Sequence, residues 1–139
     1  MKFELKIINK KMGKMLYDMY QDIPKEEIGS INKFYGCTMD EFYEYIDEIK
    51  KEEKIMNINL NTTTNRYIFF VDDYPVGEIG IRTTFNDFWV NRGSQIFYKI
   101  RVGERNKGYG TKMLELALEE CKKLGMKKVR ITYLIIACL

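Results

Sequence analysis

The chain has 139 residues, 45% of them apolar and 31% charged, a formal net charge of +3 and no histidine. Its length suits one domain around one core, the composition is that of a globular protein rather than a disordered one, and no apolar run approaches the roughly 20 residues of a membrane span. The missing histidine rules out Ser-His-Asp and Cys-His catalysis and the His-containing zinc sites. A general base must then be a carboxylate, a tyrosine, a lysine or water. The small positive excess falls well short of a nucleic-acid-binding surface. Cys37, Cys121 and Cys138 share no metal-ligand spacing and read as free thiols of a reducing compartment. The start, Met-Lys-Phe-Glu-Leu-Lys, lacks the pattern of a signal peptide. The expectation is a cytoplasmic protein with no metal, no nucleic-acid partner and no membrane partner.

Residues 2–8 alternate Phe3, Leu5 and Ile7 with Lys2, Glu4 and Lys6, the period of a half-buried strand. Asn9 is placed to cap a helix whose stripe is Met12, Met15, Leu16, Met19 and Tyr20, and Ile23-Pro24 ends it. Residues 24–37, punctuated by Pro24, Gly29 and Gly36, read as a loop. Thr38 and Glu41 have the spacing of a capping box for a second helix that buries Phe42, Tyr45, Ile46 and Ile49 and ends in the solvated charges at 50–54. After a polar loop at 57–65, residues 66–71 and 76–83 form a hairpin across Asp72-Asp73-Tyr74-Pro75, with Glu78 and Arg82 opposite the face of Ile79 and Ile81. The connection at 84–93 holds Phe85, Phe88 and Trp89, and residues 94–101 make the next strand. A helix burying Met113, Leu114, Ala117, Leu118, Cys121 and Leu124 follows, with Glu119 and Lys123 paired at i,i+4 and Gly125 after its end. Residues 128–134 form a final strand, and the βαβ order predicts that it lies parallel beside 94–101.

Between that strand and helix lies Ile100-Arg101-Val102-Gly103-Glu104-Arg105-Asn106-Lys107-Gly108-Tyr109-Gly110-Thr111. A glycine-bearing loop entering a helix gathers free backbone N–H groups at the positive end of the helix dipole, a ready seat for phosphate. Gly103 and Gly108 have the spacing of a Walker A loop, but Tyr109 stands where its lysine belongs. A dinucleotide fingerprint needs glycine where Met113 stands, and no acidic residue follows Cys121 to take a ribose hydroxyl. ATP, GTP and NAD are poor fits.

Arg105-Asn106-Lys107-Gly108-Tyr109-Gly110 resembles the Arg/Gln-x-x-Gly-x-Gly/Ala signature of the GNAT superfamily of N-acetyltransferases, in its place between the fourth strand and third helix of that family. The element order β-α-α-β-β-β-α-β also follows the family core, so the resemblance spans essentially the whole chain as one domain, residues 1–139, of a mixed α/β (α+β) fold. It implies that the amides of residues 105–111 hold the pyrophosphate of acetyl-CoA as co-substrate, with Gly108 and Gly110 allowing close approach. It implies further that Arg105, Asn106, Lys107, Tyr109 and Thr111 surround the phosphates, and that Ile100, Arg101 and Val102 pair with the pantetheine arm where the strand splays from its neighbour.

The resemblance implies direct acetyl transfer to a primary amine of a small molecule or protein, with a strand N–H stabilising the oxyanion. Glu78 is the candidate base, its strand abutting the motif strand; the competing reading of Glu78 is a carboxylate paired with Arg82. Asp87 and Glu104 are weaker loop candidates. Family members continue past the fifth strand with a polar loop, a helix that often carries the tyrosine protonating the thiolate, and a last hairpin. This sequence is expected to lack them, as a truncated product, and Tyr133 does not replace that tyrosine. The uncovered C-terminal strand predicts a homodimer. The alternative to an enzyme is a non-catalytic CoA-binding remnant of the same fold.

Overall fold

Alternation along one strand divides the molecule into two layers. The computed structural model describes residues 1–27, 30–55, 62–84, 94–132 and 135–139, the last strand by its backbone. In β4 (Thr64–Val71), Ile68 and Phe70 join one core while Tyr67, Phe69 and Val71 join the other, because successive side chains leave opposite faces of a sheet. β4 sits inside an antiparallel sheet with β1 (Phe3–Ile7), β5 (Tyr74–Arg82) and β6 (Ile96–Ile100), in the order β1-β4-β5-β6. The β4–β5 turn is made by Asp72 and Asp73, both at positive φ, the backbone of a two-residue hairpin loop.

On one face lie α1 (Gly13–Gln21) and α2 (Met39–Lys51), closing over Leu16, Met19, Tyr20, Phe34, Phe42 and Ile46. Asn9 caps a short 3-10 turn, Lys10–Met12, rather than the helix itself; Gly13, at φ +62°, breaks the turn from α1. That break rotates Met15 out of the expected stripe to 42% exposure. The capping box of α2 forms as read, Glu41 N–H to Thr38 Oγ1 at 3.1 Å and Thr38 N–H to Glu41 Oε1 at 3.0 Å. The charged end of α2 is not wholly solvated, because Glu52 turns inward to Arg66 at 2.8 Å. Within 24–37, read as loop, the chain forms a short hairpin of β2 (Glu26–Glu27) and β3 (Ser30–Ile31).

On the other face α3 (Tyr109–Lys123) buries Tyr109, Met113, Ala117 and Cys121, spaced one turn apart, against Phe69, Ile79 and Ile81. It ends in a Schellman motif, Met126 N–H to Cys121 O at 3.1 Å and Gly125 N–H to Lys122 O at 2.9 Å, with Gly125 at φ +84°. Leu124, expected in the core, is 46% exposed because this cap turns the chain away. The wet-face ion pairs are Glu119–Lys122 and Glu120–Lys123, at i,i+3 rather than the expected Glu119–Lys123.

The largest departure from the sequence reading is beyond α3. The final strand is two, β7 (Lys128–Thr132) and β8 (Ile135–Cys138), paired antiparallel. An eighth strand therefore follows where the expected order stopped, and it covers one edge of β7. The expected ladder between β6 and β7 is not formed among the described residues. The hydrogen bonds between the two segments are Gln95 N–H to Arg130 O at 2.6 Å and Arg130 N–H to the Gln95 side-chain oxygen at 3.3 Å, with Ser94 Oγ to Arg130 O at 3.4 Å, among the described residues. The aromatic connection at 85–93, with Asp87, and Tyr133 lie outside the described residues. Among those that are described, no helix is long and apolar enough to cross a membrane.

Candidate active site

The loop after β6 is built to leave its amides unused. A 3-10 turn at Val102–Glu104 carries the chain off the sheet, and Asn106 (φ +63°) and Gly108 (φ +80°) then take left-handed backbone conformations around Lys107. Alternation of this kind turns successive N–H groups into one concavity. Gly108 is the N-cap of α3 and supplies no side chain to its first turn. The N–H groups of residues 106–111 thus have no acceptor among the described residues, and they lie at the positive end of a 15-residue helix. A donor set of this kind suits a phosphate.

Side chains brace the loop from outside. Arg101 Nε donates to Asp22 Oδ2 at 3.0 Å and its Nη1 to Pro75 O at 3.1 Å, tying the turn to the end of α1. Arg105 Nε donates to Ile100 O at 2.9 Å, and its Nη2 meets Glu27 of β2 at 2.6 Å. Lys107 pairs with Glu104 at 2.7 Å on the surface. The Tyr109 ring packs edge-on against Phe3 and Phe69 and pins the helix start to the sheet. A Cβ on Gly110 would reach Ile100 Cδ1 at 3.7 Å, an ordinary contact, whereas Gly108 has open space and needs glycine for its positive φ.

Beside the loop, β6 has no strand paired to its outer edge among the described residues. Arg101 N–H bonds back to Val76 O, so in antiparallel alternation Tyr98 and Ile100 point their amides away from β5. Ile100 O is taken by Arg105; the N–H of Ile100 and both polar backbone groups of Tyr98 face the gap between β6 and β7. An extended amide-bearing arm can add here as a strand would.

The gap adjoins two connected hollows. One of about 360 Å³ is lined by Glu27, Ser30, Tyr98, Lys99, Ile100 and Arg105. Ser30, Tyr98 and Lys99 also line a larger cleft of about 590 Å³, which runs between the sheet and the α1–α2 layer to Tyr20, Arg66, Glu78 and Arg82. Glu78 is 3% exposed and accepts the Tyr20 hydroxyl at 2.8 Å, with Arg66 Nε at 3.8 Å. Burial, and then the adjoining carboxylate, push the Tyr20 phenol well above its ordinary value, so it stays a donor to Glu78. Burial works against the Arg66 charge, but Glu78 and Glu52 outweigh it and hold its pKa above the usual value. Arg82 lies over the Phe97 ring at 4.7 Å; burial, then the neighbouring Arg66, bring its pKa down to about 10. Lys99 is lowered by burial, against the pull of Glu78.

The residues read from the sequence thus separate. Asn106, Lys107, Gly108, Tyr109, Gly110 and Thr111 converge through their amides, and Ile100 sits on the free edge. Arg101 and the Tyr109 ring serve the fold, and Val102, 51% exposed, gives its N–H to Asp22 O. Glu78 does lie in a cleft beside the loop, and its cation is Arg66 rather than the Arg82 of the competing reading. Glu104, the weaker candidate, is held by Lys107 outside that cleft. Tyr20, Arg66 and Lys99 were missed as site residues. Tyr20 carried the signature of a core stripe, and only the strand alternation that places Glu78 and Lys99 on one face hinted at the others.

Solved structures of acetyltransferases resemble this fold. A GNAT family acetyltransferase of Staphylococcus aureus matches over 91% of this chain and 83% of its own, at 16% identity and a TM-score of 0.59. The ribosomal alpha-N-protein acetyltransferase RimL, solved with coenzyme A, matches over 86% of this chain and 63% of its own, at 10% identity and a TM-score of 0.61. A putative acetyltransferase from Salmonella typhimurium, solved with its cofactor acetyl-CoA, matches over 92% and 68%, at 10% identity and a TM-score of 0.55. No curated protein sequence matches. The model of the acetyltransferase (GNAT) family matches residues 14–135, which include the loop, the free edge of β6 and the Glu78 cleft, and the chain belongs to that family.

Proposed function

We propose that this chain transfers the acetyl group of acetyl-CoA to a primary amine bound in the larger cleft. The observation that carries the reading is the row of unused amides at residues 106–111, set beside an unpaired strand edge that leads to a buried carboxylate. Acetyl-CoA supplies an acyl group activated as a thioester. The amides of residues 106–111 hold its pyrophosphate, and the free edge of β6 aligns the pantetheine amides. The N–H groups of Tyr98 and Ile100 are the strand donors available to the thioester oxygen as it gains negative charge. Glu78 takes a proton from the incoming ammonium, because only the neutral amine has a lone pair to form the new C–N bond. As that bond forms the C–S bond breaks, the sulfur leaves as thiolate, and the proton that the new amide nitrogen gives up restores it to the thiol. The Tyr20 hydroxyl keeps Glu78 aimed into the cleft.

The test is a thiol-release assay with acetyl-CoA and a panel of primary amines, alongside calorimetric titration of acetyl-CoA. Turnover with at least one amine is the expected result. Binding without turnover assigns the chain to cofactor binding alone, and no binding overturns the reading.

A further inference from the structure

Glu78 and Lys99 are direct cross-strand partners in the β5–β6 ladder. Opposite charges in that relation have Cβ atoms roughly 5 Å apart and ordinarily meet. These do not. Glu78 turns to the Tyr20 hydroxyl and Arg66, and Lys99 Nζ reaches the other way to the carbonyl of Ile31 at 2.8 Å. Among the described residues that neutral carbonyl is the only hydrogen-bond partner of Lys99, and no carboxylate lies within ion-pair distance of it. Both side chains line the same cleft, and Lys99 also lines the smaller hollow on the cofactor side. A separated pair of opposite charges, partly desolvated and rooted at directly opposite positions on one sheet face, matches a ligand that carries both charges close together.

We propose that the acceptor is a zwitterionic amine of the α-amino-acid class, its ammonium directed to Glu78 and its carboxylate to Lys99. This rests on the acetyl-transfer reading for the identity of the cleft. Carboxylate and ammonium on one carbon bridge neighbouring cross-strand positions, which a long diamine or a neutral amine does not. Phe34, Ile49 and Phe97 give the wall an apolar part beside the polar Ser30, Asn32 and Lys33, and an amino acid with an apolar side chain is matched to that part. Lys99 is in this account a specificity-determining residue and takes no part in the proton transfer.

The experiment compares, in the thiol-release assay and by calorimetry on the CoA-loaded protein, a set of apolar L-amino acids with their decarboxylated amines and their carboxamides. The expected result is kcat/KM at least tenfold higher for an amino acid than for its decarboxylated amine, carried by KM. Lys99→Gln is expected to collapse that ratio towards one, and Lys99→Arg to restore most of it, with coenzyme A affinity reporting that each variant is folded. Equal use of amino acid and amine by the unaltered protein overturns the proposal, as does a ratio that survives Lys99→Gln. Amino-acid binding to the CoA-loaded protein that Lys99→Gln removes, without turnover of any amine, supports this proposal and overturns the transfer reading instead. Turnover confined to neutral amines does the reverse.

Discussion

The loop at residues 106–111 follows the C-terminal end of β6, the cleft around Glu78 meets the same strand at Lys99, and the two are built from opposite materials. The loop works through its backbone. Its side chains are braces (Arg105), packing (Tyr109) or solvated charge (Lys107), and what faces a ligand is a set of amides fixed by two positive-φ residues. The cleft works through side chains contributed by α1, α2, β3, β4, β5 and β6. Backbone sites tolerate changes of side chain that respect φ. Side-chain sites fail with single atoms.

Four substitutions or conditions sharpen that contrast, beginning with the largest effect. Glu78→Gln exchanges one oxygen for an amide group and is expected to lower kcat by about 10²–10⁴-fold, the usual range for a lost general base. Acetyl-CoA affinity should stay unchanged, since the loop is remote from Glu78 in chemistry; an equal loss of affinity would join the two regions into one. Gly108→Val acts in the other direction. A β-branched residue at φ +80° is strained by ~1–2 kcal/mol or more, so the amides tilt out of their concavity and acetyl-CoA affinity falls on the order of tenfold to hundredfold. Calorimetry on the variant checks this, and circular dichroism confirms that the fold is kept.

Glu27→Gln frees Arg105 from a 2.6 Å ion pair that is about one-third exposed on both sides. An exposed pair of this kind is worth about 0.2–1 kcal/mol, so affinity for coenzyme A is expected to rise by no more than about fivefold, and less at high salt. A fall in affinity would show that Glu27 orders the loop rather than competing for its arginine. The smallest effect is Lys107→Ala, within about threefold in affinity at physiological salt, because its charge is solvated and already paired with Glu104.

One buried group on each face of the sheet makes a separate prediction about pH. Burial raises the Cys121 thiol from 9.0 to about 11 and the Tyr20 phenol well above 10.0. Both groups keep their protons in the fold after the unfolded chain has lost them. Their contribution is complete below pH 9 and is lost as pH rises, through 9 to 11 for Cys121 and from 10 upward for Tyr20. Thermal melting points measured from pH 8 to 11 should fall across that window, and Cys121→Ala should flatten the part between 9 and 11.

The loop was legible in the sequence because its chemistry is a local pattern: glycine where φ must be positive, a helix directly after, a strand directly before. The capping box at Thr38 and Glu41, the aspartate turn at 72–73 and the cap at Gly125 were legible for the same reason. The cleft was not, because Tyr20 and Glu78 are 58 residues apart and only the closure of α1 over the sheet brings them to 2.8 Å. Tyr20 obeyed the periodicity of a buried stripe, which says that a side chain is inside but not whether its hydroxyl has work there. That β6 and β7 form no ladder among the described residues was hidden too. Order alone predicts adjacent strands, and the Arg130 contacts that join the two segments come from Ser94 and Gln95 in side-chain and backbone detail.

Whether main-chain amides at residues 106–111 seat the pyrophosphate shows in the backbone amide resonances of the ¹⁵N-labelled protein titrated with coenzyme A and, separately, with pantetheine, which has no pyrophosphate. Coenzyme A is expected to give large shifts at residues 106–111, and pantetheine shifts confined to Tyr98, Ile100 and their neighbours. Equal patterns for the two ligands, or an unmoved loop with coenzyme A bound, would place the pyrophosphate elsewhere.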